Sequence, residues 1–175
     1  MAAQGKRVFL ARGHIADAKH ADQGHALAQV QAVMANRPLW HQVPKRLEAV
    51  RAFAQLAEAP ALASANKRIS NILKKAEAEG AVDAHVNPAL LQEPAEQDLH
   101  EAMQRLGAEA NTQFDAGEYT QSLQTLAALR AVVDAFFDDV MVNAEQQDVR
   151  LNRLGLLKTL HLAMNRVADL SLLAS

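Results

Sequence analysis

Cysteine is absent from the 175 residues, which excludes disulfides, iron–sulfur ligation and thiol catalysis and is compatible with a reducing cytoplasmic setting. Aromatic side chains are scarce at 4% while half the chain is apolar, and alanine and leucine dominate over the β-branched residues. That balance favours helix over sheet. Long apolar runs are missing too. None approaches the roughly 18 to 20 residues of a membrane span, so no membrane association is expected. The opening Met1-Ala-Ala-Gln-Gly-Lys-Arg7 lacks the apolar stretch of a signal peptide.

Catalytic motifs are missing as well. The chain has no Gly-rich phosphate loop, no Gly-x-Ser-x-Gly elbow and no His-Glu-x-x-His. A di-metal helical bundle needs Glu-x-x-His on two helices. The nearest approach is the single pair Glu96 and His100, at the wrong spacing. Asp138 and Asp139 are consecutive and would point about 100° apart on a helix, so they cannot form a paired acid/base site alone. No catalytic residue and no metal ligand is therefore expected.

What is present is charge sorted along the chain. Residues 1–75 carry 12 Lys/Arg against 4 Asp/Glu, residues 76–149 carry 2 against 15, and residues 150–175 carry 4 against 1. The net charge of −2 thus conceals basic, acidic and basic blocks. Such sorting suits a molecule with separate charged surfaces, whose basic parts can meet nucleic acid. The sharpest boundary lies where Asp134-Ala-Phe-Phe-Asp-Asp-Val140 precedes Val149 to Ala168, a segment with no acidic residue.

Helical periodicity organises most of the chain. Residues 1–26 have weak periodicity and read as an irregular leader or partial helix, with a helical domain over 27–175. Leu27, Val30, Val33 and Met34 start the pattern, and Arg37-Pro38 breaks it. Pro44 suits the first turn of the next helix, whose stripe is Leu47, Val50, Phe53, Ala54 and Ala57, with Lys45, Arg46, Glu48 and Arg51 elsewhere. Pro60 opens a helix that Gly80 can end. Asn87-Pro88 caps a short turn, and Pro94 starts a longer helix with Leu99, Met103, Leu106 and Ala110 inward, ending near Gly117. Tyr119 to Arg130 runs on into Val132, Val133, Phe136 and Phe137, with Met141 in the core, and Asn143 to Gln147 reads as a break before the last helix. Together these predict an all-α bundle of about six or seven helices.

Two helices carry the useful polar chemistry. In Asn66 to Lys75 (NKRISNILKK), Ile69, Ile72 and Leu73 face inward, leaving Lys67, Asn71, Lys74 and Lys75 on an outer face. In Arg150-Leu-Asn-Arg-Leu154, Arg150, Asn152 and Arg153 are expected to project from the start of the last helix. Lysine and arginine neutralise phosphates, while asparagine and arginine can hydrogen-bond base edges in a single-stranded loop. A merely solvated basic face would have the same spacing.

These two segments occur in order with Glu93-Pro94, Leu126-Ala-Ala-Leu-Arg130, Asp134 to Val142 and Arg166-Val-Ala-Asp-Leu-Ser-Leu-Leu173. Over roughly residues 27–173 the set resembles the C-terminal part of the bacterial glycyl-tRNA synthetase β subunit. That part is a helical anticodon-binding domain of the DALR type, similar to that of arginyl-tRNA synthetase. Residues 1–26 do not follow the family. Gly155 stands inside a helix where the family usually has a better helix former, at a cost of about 1 kcal/mol relative to alanine. Asn143 replaces a commonly apolar residue, and the β subunit is several times longer than this chain.

The resemblance implies a non-catalytic module that binds the anticodon arm of glycine tRNA. ATP, Mg and glycine are then handled by the α subunit, and the α subunit and the remainder of the β subunit are the protein partners. It also implies roles for residues. Lys67, Arg68, Lys74 and Arg150 would contact phosphate, with Lys75 on the same face. Asn71, Asn152 and Arg153 would reach base edges. Phe136 or Phe137 would offer a stacking platform, core packing being the alternative for both. The aspartates of the acidic helix read as bystanders or as acceptors for cytosine. Arg130 and Asp134, four apart, are expected to pair within their own helix. A second function stays open: a helical protein–protein interaction or scaffold domain that binds no RNA.

Overall fold

A computed structural model describes residues 27–174, so the expected leader at 1–26 lies outside the described residues. These residues form α1 (Leu27–Ala35), α2 (Val43–Ala54), α3 (Ala59–Glu79), α4 (Pro94–Ala102), α5 (Ala108–Asp115), α6 (Tyr119–Ala127), α7 (Arg130–Asp139) and α8 (Gln147–Met164). A π-helical turn, Met103–Gly107, joins α4 to α5 as one rod. Short 3-10 turns lie at Trp40–Gln42, Pro88–Leu90 and Leu170–Leu173. Among the described residues there are thus seven helical rods and no strand, the all-α architecture expected.

The punctuation follows from local chemistry. Pro44, Pro60, Pro88 and Pro94 each occupy the first turn of an element, where the missing N–H has no helical acceptor to lose. The Asn87 side chain accepts from the Ala89 N–H at 3.1 Å. After α5 the chain turns through Gly117 at φ +77°. There the Gly117 N–H reaches the Phe114 carbonyl at 2.9 Å and the Glu118 N–H the Gln113 carbonyl at 2.8 Å, the Schellman closure that favours glycine. The continuous run expected after Tyr119 is instead two helices, α6 and α7, separated at Ala128–Leu129.

The helices bury one shared core. Leu47 and Phe53 of α2, Leu62 and Ile69 of α3, Leu99 of α4, Leu123 of α6, Phe136 of α7 and Leu156, Leu157 and Leu160 of α8 are fully buried, each contributing about 1.5–3 kcal/mol. Helix α2 packs on α6, α4 on α7, and α3 on α8 and the C-terminal 3-10 turn. Helix α8 is central, buried on more than one side from Val149 to Met164. Gly155 explains how it can be. A Cβ there would stand 2.2 Å from the His85 carbonyl oxygen, so glycine admits the 83–85 strand of loop against the helix rather than weakening it.

Three expectations about packing are overturned. Met141, expected in the core, is 72% exposed because α7 has already ended at Asp139. Ala57 lies beyond the end of α2 and is exposed. Arg46, placed away from the buried stripe, is only 7% exposed. Its Nη1 donates to the carbonyls of Arg166 and Val167 at 2.7 and 2.9 Å, and its guanidinium lies over Phe114 and Tyr119. A buried cation is tolerable when hydrogen bonds and aromatic faces replace water.

A polar cluster ties the C-terminal segment to α3. Asn66, fully buried, donates to Asn165 Oδ1 at 2.7 Å and accepts from Asn165 Nδ2 at 2.9 Å. Asn165 Oδ1 also accepts from the Leu170 N–H at 3.0 Å. His161 lies alongside, its Nδ1 3.0 Å from Asn165 Nδ2. Burial lowers its pKa, with Asp169 and Glu77 working the other way and Lys158 and Lys74 adding to the decrease. The same nitrogen lies 3.2 Å from Asn66 Oδ1, so the ring sits between the two asparagine side chains.

Candidate nucleic-acid interface

Helix α3 presents a polar stripe because its apolar residues are spent on the core side. Ser64, Lys67, Arg68, Asn71 and Lys75 line a shallow groove together with Ala174 of the C-terminal segment. Residues at three and four spacing share a helix face, so this stripe is a direct consequence of burying Leu62, Ile69 and Leu73. Lys74 falls outside it. It turns toward the flank where Lys158 of α8 pairs with Glu77 at 2.6 Å and where it acts on His161.

The groove runs at Ile72 and Lys75 into a larger cleft of about 770 Å³. One wall is the end of α3 with residues 79–82. The other is Val142 and Asn143 with the start of α8, Gln147, Arg150, Leu151 and Leu154. Val82 and Leu154 are buried and Ile72, Ala76 and Val142 half-buried, giving an apolar floor. The rim carries Lys75, Arg150, Asn143, Gln147 and Glu79. The two basic segments picked out in the sequence therefore do converge, but through Lys75 and Arg150 rather than through all their members.

Asn152 and Arg153 are corrections. Both were expected to project toward base edges, yet they are 6% and 5% exposed. Asn152 accepts from the Asn87 N–H at 2.7 Å and donates to the Asn87 carbonyl at 3.1 Å, clamping the 83–88 loop. Arg153 forms a buried ion pair with Glu96 and donates through Nη1 to the Met141 carbonyl at 2.6 Å. Glu96 in turn accepts from the backbone N–H groups of Gln92 and Glu93, both at 2.8 Å. Burial pushes the Glu96 carboxyl up, but the Arg153 bond and the two backbone donors outweigh it and hold the pKa below its ordinary value. With Arg150 Nη1 near the Ala144 carbonyl at 3.5 Å, these arginines fix the 140–146 loop that forms one wall of the cleft.

Phe136 is a second correction: it is fully buried in the core and offers no stacking face. Phe137 is half-buried, and the Arg68 guanidinium covers its ring at 4.2 Å. The accessible planar group at that place is thus Arg68. Asp138 and Asp139 are exposed but line neither groove nor cleft. Arg130 and Asp134 pair within α7 at 3.4 Å, as expected. Sequence reasoning missed Glu79 and Gln147 as cleft residues and noted Asn143 only as an oddity. The spacing of Lys75 and Glu79, one turn apart on α3, was the signal available for Glu79.

No group of histidine and acidic residues able to hold a metal ion occurs among the described residues, and no described helix is long and apolar enough to cross a membrane.

Comparison with known proteins gives concordant results. The DALR anticodon binding domain matches residues 62–170. The chain is 68% identical over 154 residues to the glycine–tRNA ligase beta subunit of Acidovorax sp. (strain JS42), an alignment covering 87% of this chain and 21% of that protein. The corresponding subunit of Paracidovorax citrulli is 66% identical over 154 residues, with the same coverage. That of Polaromonas naphthalenivorans is 63% identical over 155 residues, covering 88% of this chain and 22% of the relative. The chain therefore spans about a fifth of the length of these relatives.

Proposed function

Because the chain belongs to the DALR anticodon-binding domain family, we propose that it binds the anticodon arm of glycine tRNA, as a domain of a glycyl-tRNA synthetase β subunit. In this reading the chain performs no chemistry itself. Glycine activation with ATP and Mg belongs to the α subunit, and the α subunit and the rest of the β subunit complete the particle.

The observation that carries the reading is the convergence of Lys75 and Arg150 on one apolar-floored cleft, continuous with the Lys67, Arg68 and Asn71 groove. A single-stranded loop requires cations for its backbone and apolar or planar surface for unstacked bases. Lys67, Lys75 and Arg150 supply phosphate contacts. Arg68, whose guanidinium carbon lies 4.2 Å from the Phe137 ring centre, offers a guanidinium group to a base, and Asn71 offers a neutral hydrogen-bonding group. Lys74 contributes only general positive charge.

The experiment is fluorescence anisotropy of the full 175-residue chain with labelled glycine tRNA and with a tRNA of another anticodon. Saturable binding that prefers glycine tRNA, and that weakens steeply as salt rises, is expected. Absence of binding to either tRNA would instead favour a protein-interaction domain with solvated basic faces.

A further inference from the structure

The cleft contains one group that an RNA-binding surface has electrostatic reason to avoid. Glu79 lines the same cleft as Asn143 and Gln147, where a polyanion is to be held, and it is the last residue of α3. The C-terminus of a helix already carries partial negative charge, so a carboxylate there is disfavoured before any ligand arrives.

Lys75 and Arg150 line the same cleft, but among the described residues no direct ion pair holds the carboxylate. Glu77, two residues earlier, is paired with Lys158 at 2.6 Å. Glu79 has no ion pair among the described residues, although Lys75 lies one turn before it on the same helix and lines the same cleft. The side-chain amides of Asn143 and Gln147 likewise make no hydrogen bond among the described residues and are exposed at the rim. The cleft therefore holds an unpaired acceptor and two unpaired amides among its lining, with Ile72, Ala76, Val82 and Leu154 as its apolar part.

We propose that Glu79 and the side-chain amide of Asn143 or Gln147, which line the same cleft, form a reading edge for a cytosine of the anticodon. The proposal rests on the RNA-binding function given above and assigns base selectivity within it. A carboxylate oxygen accepts a hydrogen bond from the exocyclic amino group of cytosine, and an amide N–H donates to its ring nitrogen or carbonyl. Uracil places a carbonyl where that amino group would be. Two acceptors then face each other and neither finds a donor, which is how a polar site rejects a near-isostere. An amide alone does not discriminate, because it can turn over and offer its donor side. The carboxylate is what makes the edge selective.

The test uses stem-loops of glycine tRNA, whose anticodon ends in two cytosines, with each of these cytosines changed separately to uracil. Affinities are measured for the full chain and for Glu79→Gln. The native chain should prefer cytosine by about tenfold at one of the two positions. Glu79→Gln should lose most of that preference at the same position. The substitution neutralises an exposed carboxylate that has no ion-pair partner among the described residues, so folding should be unaffected.

A purely electrostatic role would look different. Removing the charge would then tighten both stem-loops equally and leave the cytosine-to-uracil ratio unchanged at both positions, and that result overturns the proposal. So does a native chain that binds the stem-loops without regard to either cytosine. A native chain that binds none of these RNAs and no glycine tRNA defeats the RNA-binding function itself, with the base assignment falling alongside.

Discussion

Gly155 and Arg153 lie two residues apart on α8 and illustrate how single positions decide the local structure. At Gly155 the helix gives up about 1 kcal/mol of propensity so that the His85 carbonyl can approach to a distance no Cβ allows. Gly155→Ala should therefore destabilise the fold despite improving helix propensity, by roughly 1–3 kcal/mol as the 83–85 backbone is displaced. A urea unfolding midpoint measures this; a stabilised variant would mean that the loop moves freely. At Arg153 the stakes are electrostatic. Arg153→Ala leaves the Glu96 carboxylate buried without its partner, and a loss of about 3–5 kcal/mol is expected from the same measurement. Neither residue was readable from sequence. Arg153 stands beside Arg150 in an amphipathic start, and its partner lies 57 positions earlier, so spacing alone presents both arginines as equally free. The same holds for Asn152, whose partner is the backbone of Asn87.

At the scale of elements, proline and glycine punctuation and apolar stripes with a period near 3.6 were sufficient to locate the helices. Pro44, Pro60, Pro94 and Gly80 fell at their ends, and Leu47, Ile69, Leu99 and Leu160 faced inward as expected. Periodicity was blind where one apolar stripe crosses a turn, so α6 and α7 read as continuous, and Met141 read as core although α7 stops before it. Contacts between distant elements were hidden for the same reason, above all the Asn66–Asn165–His161 cluster that fastens the C-terminal segment along α3. That cluster has a pH signature. The folded-state pKa of His161 lies below its ordinary value of about 6.5, so the unfolded chain binds the proton more readily. Its contribution to stability is present above that value and is lost as pH falls through the lowered folded pKa. A second loss, from Glu96, should begin below its ordinary value of about 4.5 and be complete once pH has passed its lowered folded value. Thermal midpoints measured against pH should show both limbs, and His161→Gln should flatten the upper one while leaving the lower.

Across the whole molecule, charge sorting along the sequence becomes charge sorting in space only in part. The basic block of residues 66–75 does form an accessible stripe, and Arg150 joins it at Lys75. The acidic aspartates of α7, however, do not form the opposing wall; the carboxylate in the cleft is Glu79, from the basic helix itself. If phosphates occupy this surface, counterions are released on binding. Each contact removed should reduce the slope of log K against log salt by about 0.7 for a single-stranded loop, so removing two should reduce it by about 1.4. The most direct test compares the affinity for glycine tRNA of the native chain and of Lys75→Ala/Arg150→Ala, with thermal unfolding as the control for structure. An affinity at least tenfold weaker, at an unfolding midpoint close to the native one, is the predicted result. Undiminished affinity in a folded variant would contradict the assignment of this cleft to the anticodon arm.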